Sequence, residues 1–334
     1  MPAPSRLNLP FGMLVALLLA AALAMDAGCS MSSAARTRQS DLQARQYVAQ
    51  AAELTDEGKL DEAIEQLQLA IAQNPTLTPA HLNLGEIYRL QGNYQAAEET
   101  YRKAVQIEPR NYEAQYGHGL VLQLLDRLGD AVRAYLRALS IEPDSFQANL
   151  NLATAYLQMQ EAKQALPYAR KAVDLNPTDG PARVNLGVAL GAAGDNDAAI
   201  RAYQAAAELM DLTPPLLMNL ANSLGKAGRY QEMVNTLGQL LREAPSAQAY
   251  ERLGFAQFRL QRYDESLEAF THSVELDQQH FPALNGMGVC LLNRYLMSER
   301  QDATSRRQGV AALRKSLKIR HNQPRIVDLV SRYS

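Results

Sequence analysis

Four asparagines stand at whole multiples of 34 residues from one another: Asn83, Asn151, Asn185 and Asn219, with Gly117 in the one slot left between the first two. A carboxamide both donates and accepts hydrogen bonds, so it can pair with the N–H and C=O of a peptide unit. A row of them can hold an extended backbone with little regard to its sequence. A second chemical bias lies near the end of the chain. Between Arg294 and Arg325 nine Lys or Arg face only Glu299 and Asp302. Of these, Arg300, Arg306, Arg307, Arg314, Lys315 and Lys318 are expected to form a basic surface for an acidic partner or anionic lipid headgroups. The opposite bias occurs at Glu53, Asp56, Glu57, Asp61, Glu62 and Glu65. The formal net charge of −2 carries no general nucleic-acid signature.

Catalytic or metal chemistry would need titratable groups that converge, and the sequence offers no such cluster. The five histidines (His81, His118, His272, His280 and His321) fall in different segments, and no HExxH, CxxC, GxSxG or phosphate-loop pattern occurs. Acid pairs such as Asp61 with Glu62 and Glu98 with Glu99 fall at expected helix starts, where the macrodipole favours negative charge. Catalytic residues, metal ligands, cofactors and a small-molecule substrate are therefore all expected to be absent. The two cysteines, Cys29 and Cys290, are too few for a disulfide framework, and Cys290 falls at a packing position.

The elements that must carry the asparagines follow from the same period. Pro75, Pro109, Pro143 and Pro177 are spaced by 34 residues, and Pro245 lies two further steps on. Superposition aligns Gly85, Gly119, Ala153, Gly187 and Ala221; Ala63, Ala97, Ala131, Ala165 and Ala199; and Ala70, Ala104, Ala138, Ala172 and Ala206. Small residues fixed in a helical pattern let helices approach closely, so the unit is a helix pair. Gly58, Gly92, Gly194 and Gly228 fall between the two helices, where the turn needs positive φ. The 47% hydrophobic content and the absence of Trp suit close helix contacts of this kind.

With Tyr88 and Tyr156 on the first helix, Tyr94, Tyr230 and Tyr263 at the turn, and Tyr101, Tyr135, Tyr203 and Phe270 on the second, the chain resembles the tetratricopeptide repeat (TPR) family. Seven repeats can be followed over residues 44–280, beginning near Ala44, Thr78, Tyr112, Phe146, Gly180, Pro214 and Ala247. Asp211 and Gln278 replace the closing proline of the fifth and seventh, and the sixth is one residue short. The resemblance implies an all-α, right-handed superhelical solenoid of antiparallel helix pairs. Its first helices line a concave groove for an extended peptide or helix, with Asn83, Asn151, Asn185 and Asn219 placed like the asparagine ladder of O-linked N-acetylglucosamine transferases. The carboxylate clamp known in the family is not supplied by Val48, Ala52 and Leu82.

Residues 1–28 stand apart, because Arg6 precedes the apolar run Phe11 to Met25, the layout of a secretory signal. At about fifteen residues it is shorter than the roughly 20 that span a bilayer. Ala27, Gly28 and Cys29 resemble the end of a lipoprotein cleavage signal, with Asp26 departing from its apolar preference. The expectation is lipidation of Cys29; cleavage after Ala24 or Ala27 and a retained anchor are the alternatives. All three export the repeats, and the first gives a membrane-anchored lipoprotein facing the periplasm. Residues 29–43 are polar and Ser-rich, and read as a flexible tether.

At the other end, residues 281–321 read as an eighth, irregular repeat carrying an insertion at 293–308, which either lengthens its first helix or protrudes as a loop. Residues 322–334 read as a capping helix that covers the array with Ile326, Val327, Leu329 and Val330. The whole describes a noncatalytic protein-binding scaffold of the cell envelope. The alternatives are a targeting subunit of an envelope glycosyltransferase or peptidoglycan enzyme, and an assembly chaperone for secretin or pilus components.

Overall fold

The computed structural model describes the chain from Phe11 onward, with side chains from Ser33 onward. The signal at 1–28 and lipidation of Cys29 lie outside the residues whose side chains are described. The described chain contains helices and turns, without strands. The described chain divides into two compact units, one ending at Pro143 and the other running over Asp144–Ser334.

The first unit contains three helix pairs: α1 (Phe11–Asp56) with α2 (Leu60–Gln73), α3 (Thr78–Leu90) with α4 (Tyr94–Ile107), and α5 (Tyr112–Leu124) with α6 (Leu128–Ile141). Each helix packs on its hairpin partner and each pair on the next. The alanines of the period make this possible: Ala63, Ala70, Ala97, Ala104, Ala131 and Ala138 are all fully buried. Leu67, Leu84 and Ile87 fill the space between them.

The second unit repeats the scheme with α7 (Phe146–Gln158), α8 (Ala162–Leu175), α9 (Gly180–Ala193), α10 (Asn196–Ala207), α11 (Pro214–Lys226), α12 (Tyr230–Glu243), α13 (Ala247–Arg259) and α14 (Tyr263–Leu276). It closes with α15 (Phe281–Met297), α16 (Ala303–Ile319) and α17 (Pro324–Tyr333). Its main core runs through Tyr203, Leu216, Leu224, Met233, Leu237 and Ala256. Pro167 sits inside α8.

Local signals explain where the helices start and stop. Asn111, Ser145, Asp179, Thr213 and Ser246 each accept a hydrogen bond from a backbone N–H in the first turn of α5, α7, α9, α11 and α13. The turn inside each pair passes through the left-handed region. Glycine supplies it at Gly58, Gly92, Gly194 and Gly228, whereas Asp126, Gln160 and Gln261 adopt φ of 58°, 61° and 62° in the corresponding slots.

Three sequence expectations are revised. Residues 33–43, expected as part of a flexible tether, are helical and continue into the packed part of α1. They are held by Ser40, whose Oγ donates to the Gln73 carbonyl at 2.7 Å, and by Asn74 Nδ2 donating to Asp41 at 2.7 Å. The insertion at 293–308 makes no large loop. It lengthens both helices, so α15 runs to Met297 and α16 starts at Ala303, joined by a turn in which Glu299 and Arg300 have positive φ. In α17 the covering face is Ile326, Leu329, Val330 and Tyr333, packed on Leu292, Val310 and Leu313. Val327 is 50% exposed, because one residue of helix rotates it about 100° from Ile326.

Candidate functional site

The four asparagines are each partly buried on a first helix: Asn83 on α3, Asn151 on α7, Asn185 on α9 and Asn219 on α11. In the second unit their neighbours show how the rungs connect. Asn185 Nδ2 donates to Thr154 Oγ1 on α7 at 2.7 Å, and that hydroxyl donates to the Leu150 carbonyl at 2.8 Å. Part of the Asn185 amide thus ties α9 to α7. The leucines that follow lie inward: Leu84, Leu152 and Leu220 are buried, and Leu186 is partly buried against the core.

Gly117 marks the slot where the row lacks an amide, and steric space accounts for it. A Cβ there would fall 2.3 Å from the Tyr101 ring, which is also wedged against Gly85. Phe270 fills the same space in the second unit, where a Cβ on Gly286 would again fall 2.3 Å from the ring. Both aromatic rings exclude any side chain at these two positions.

One step beyond Asn219 on the first-helix face stands Arg252, on α13. Arg252, Asn222, Lys226, Arg259, Tyr230 and Phe255 line a cleft of about 600 Å³ between α11 and α13. Arg259 lies over the Tyr230 ring at 4.6 Å, and Tyr230 meets Phe255 edge-on. Arg252 Nε is buried without a hydrogen-bond partner and lies 3.5 Å from Glu251. Burial pushes the Glu251 carboxyl up, opposed by Arg252 and His280. Sequence reasoning missed this cleft. Its signal was the 33-residue spacing of Lys226 and Arg259, which equals the length of the shortened sixth repeat.

Of the six cations expected to form the basic surface, Arg306, Arg307, Arg314, Lys315 and Lys318 line a second cleft, of about 440 Å³, between α16 and the end of α17. Arg300 lies outside it, in the turn between α15 and α16.

The remaining polar groups serve packing. His81 is buried, and its Nε2 lies 2.9 Å from the Pro75 carbonyl; Gln115 makes the equivalent bond to Pro109. Cys290 is buried against Ser266 Oγ at 3.3 Å, and burial pushes its thiol up. Among the described residues no group of three His, Cys, Asp or Glu is arranged to hold a metal ion. Nor, among them, is any helix long and apolar enough to cross a membrane.

Glu98, read from the sequence as a helix-start acid, is in addition buried, 3.2 Å from His118 Nε2 and 3.4 Å from Arg127. Burial lowers the His118 pKa below its ordinary 6.5, with Glu98 opposing that shift. The ring is therefore neutral at pH 7, and in the Nε2–H tautomer it donates to Glu98. A folded-state value below the unfolded one means that protonation favours unfolding. The contribution is present above about pH 6.5 and is lost as pH falls below that value. His118→Gln keeps a donor without the titration. In denaturant melts it is expected to lose less stability than the parent between pH 7.5 and pH 5, and equal slopes would refute the assignment.

The comparisons with known proteins fit this geometry. Family models described as tetratricopeptide repeat match residues 78–111 and residues 116–180, 150–214 and 218–280, and a TPR repeat model matches 52–89. The chain is a tetratricopeptide repeat protein. No significant match occurs among curated proteins. Among solved structures, this repeat protein is similar to PilF of Pseudomonas aeruginosa, with 21% identity, 64% of this chain and 97% of that chain covered, and a TM-score of 0.53. It is also similar to PilW, described as a widely conserved type IV pilus biogenesis factor, with 21% identity, 60% and 94% coverage, and a TM-score of 0.51. A tetratricopeptide repeat protein from Parabacteroides merdae ATCC 43184 gives 18% identity, 75% and 99% coverage, and a TM-score of 0.51. At these identities the likeness is one of fold.

Proposed function

We propose that the protein is a noncatalytic scaffold of the cell envelope whose second unit holds an extended segment of a protein partner along its first helices. The observation that carries this reading is the succession of partly exposed polar groups on that face: Asn151, Asn185, Asn219, then Asn222 with Arg252. Two N–H donors and one acceptor per amide suit the repeat of a peptide backbone, and the cleft at Arg252 suits an acidic side chain on the same segment. Asn83 offers the same chemistry on the first unit. Anchoring through a lipid on Cys29 belongs to this reading, since it would hold the repeats at a membrane face. The description of PilW as a pilus biogenesis factor favours an assembly role over a targeting subunit, because both share this arrangement of helix pairs.

Photo-crosslinking residues placed at 151, 185 and 219, with Gln204 as an exposed second-helix control, test the assignment. The three first-helix positions are expected to capture one common partner and the control none; equal capture from all four would refute it. Asn219→Ala should leave melting unchanged, and Asn151→Ala and Asn219→Ala should each weaken that partner by about 0.5 to 1.5 kcal/mol for each hydrogen bond lost. Asn185→Ala should also cost about 1 kcal/mol of stability, because it removes the bond to Thr154.

A further inference from the structure

The cleft between α16 and α17 is lined by five cations that, among the described residues, pair with no carboxylate. Near this end of the chain, among the described residues, Arg294 pairs with Asp264 and Arg332 with Asp328. None of the five cations around the cleft forms such a pair. Arg307 and Arg314 make only hydroxyl contacts, at 3.4 Å to Thr304 and 3.0 Å to Ser334, and Arg306 faces the Tyr295 ring at 6.0 Å. From Arg306 to Lys318 the charges extend over twelve helical steps, about 18 Å. A single phosphate would engage one part of that row; the whole of it matches a carboxylate-bearing surface of similar length. Val310 and Tyr333 add an apolar floor.

The same chain carries a face of the opposite sign. Glu53, Asp56 and Glu57 at the end of α1, and Asp61, Glu62 and Glu65 at the start of α2, gather around one hairpin turn, and all six are exposed. Lys59 is the one cation in that turn and pairs with Glu57 at 2.8 Å. The remaining carboxylates exceed what Lys59 can neutralise. With 35 acids against 33 bases overall, the two faces concentrate opposite charges on a nearly neutral protein.

We propose that the α16–α17 cleft of one copy receives the α1–α2 turn of a second copy, giving a head-to-tail association of this chain. Such a contact uses two different surfaces, so it builds a closed ring where the rotation between copies closes and an open row where it does not. Its residues are distinct from those assigned on the first-helix face of the second unit, so it stands independently of the partner assigned there. The attraction is between exposed charges, so it must weaken as salt shortens the Debye length to about 10 Å at 0.1 M.

The test uses the full chain in density-matched nonionic detergent, with sedimentation velocity at about 0.03 M and 0.3 M salt. The parent is expected to associate at low salt, with a dissociation constant at least about tenfold higher at high salt. One variant, Arg306→Glu/Lys315→Glu/Lys318→Glu, and another, Glu53→Lys/Asp56→Lys/Glu65→Lys, should each be monomeric while keeping the parent's helical circular dichroism. Mixed in equal amounts, the two variants should associate again, because each supplies the face that the other has lost. A parent that stays monomeric at low salt would overturn the proposal. So would association untouched by either reversal, or variants that fail to recover on mixing. Vesicles of phosphatidylglycerol and phosphatidylcholine form a separate arm. If they bind the parent through the three reversed cations while the protein remains monomeric, the cleft is a lipid site and the proposal fails.

Discussion

Phe270→Ala is expected to lower stability by about 3 to 5 kcal/mol, the range for removing a buried aromatic ring from a core that cannot collapse around the gap. The ring is 4% exposed and packs with Ala283, Cys290, Phe255 and Met287. Its Cδ1 edge meets Gly254 on α13 and its Cζ end meets Gly286 on α15, positions that have no side chain to move inward. Chemical denaturation followed by circular dichroism measures the loss. Hydrogen exchange should place the weakened amides on α13 to α15, because a repeat array transmits a defect mainly to its neighbours. The complementary change, Gly286→Ala with Phe270 in place, should cost about 1 to 3 kcal/mol through overpacking. Combined with Phe270→Leu it should cost less than the sum, since the smaller side chain makes room for the added methyl. A loss below 1 kcal/mol for Phe270→Ala would mean that the ring does not wedge the two helices.

Ending the chain before Pro324 is expected to remove on the order of 3 to 6 kcal/mol as an upper bound. Ile326, Leu329, Val330 and Tyr333 are each only partly buried, so each contributes less than the roughly 1.5 to 3 kcal/mol of a fully buried side chain. Val310 and Leu313 would then meet water, and the truncated protein should self-associate in a salt-insensitive way. Val327→Ser, on the exposed side of the same helix, should change stability by less than about 0.5 kcal/mol. Thermal melts of the parent, the truncation and Val327→Ser decide the matter. A truncation that melts like the parent would show that α17 covers nothing of consequence.

The helix pairs were legible because each repeat must solve the same packing problem. A buried alanine where two helices touch cannot be enlarged, so Ala63, Ala97, Ala131, Ala165 and Ala199 report the period directly, and all five are fully buried. The turn glycines were legible for a similar reason, although Asp126, Gln160 and Gln261 show that the turn forms without them. Residues 33–43 were misread as tether because they have no apolar stripe, and their order comes from Ser40 and Asp41 reaching residues 33 positions away. Val327 was misread because four aliphatics in a short run were counted together although helical rotation separates them. Glu98 looked like any acid at a helix start, since nothing local announces His118 and Arg127 as its partners. The cleft at Arg252 escaped for the same reason: it gathers ordinary surface cations from turns of helix that only folding brings side by side.

Arg252 bears on something that the asparagines alone would leave undetermined. Identical rungs spaced by one helix pair have translational symmetry, so a backbone held by amides alone could shift by one rung at no cost. A guanidinium in place of the next amide, with Lys226 and Arg259 beside it, breaks that symmetry. On the reading proposed above, an acidic residue on the bound segment would find one address on this face, which would set both its register and its direction of travel along the helices. The short sixth repeat, by bringing Arg252 one residue early, sets where that address lies.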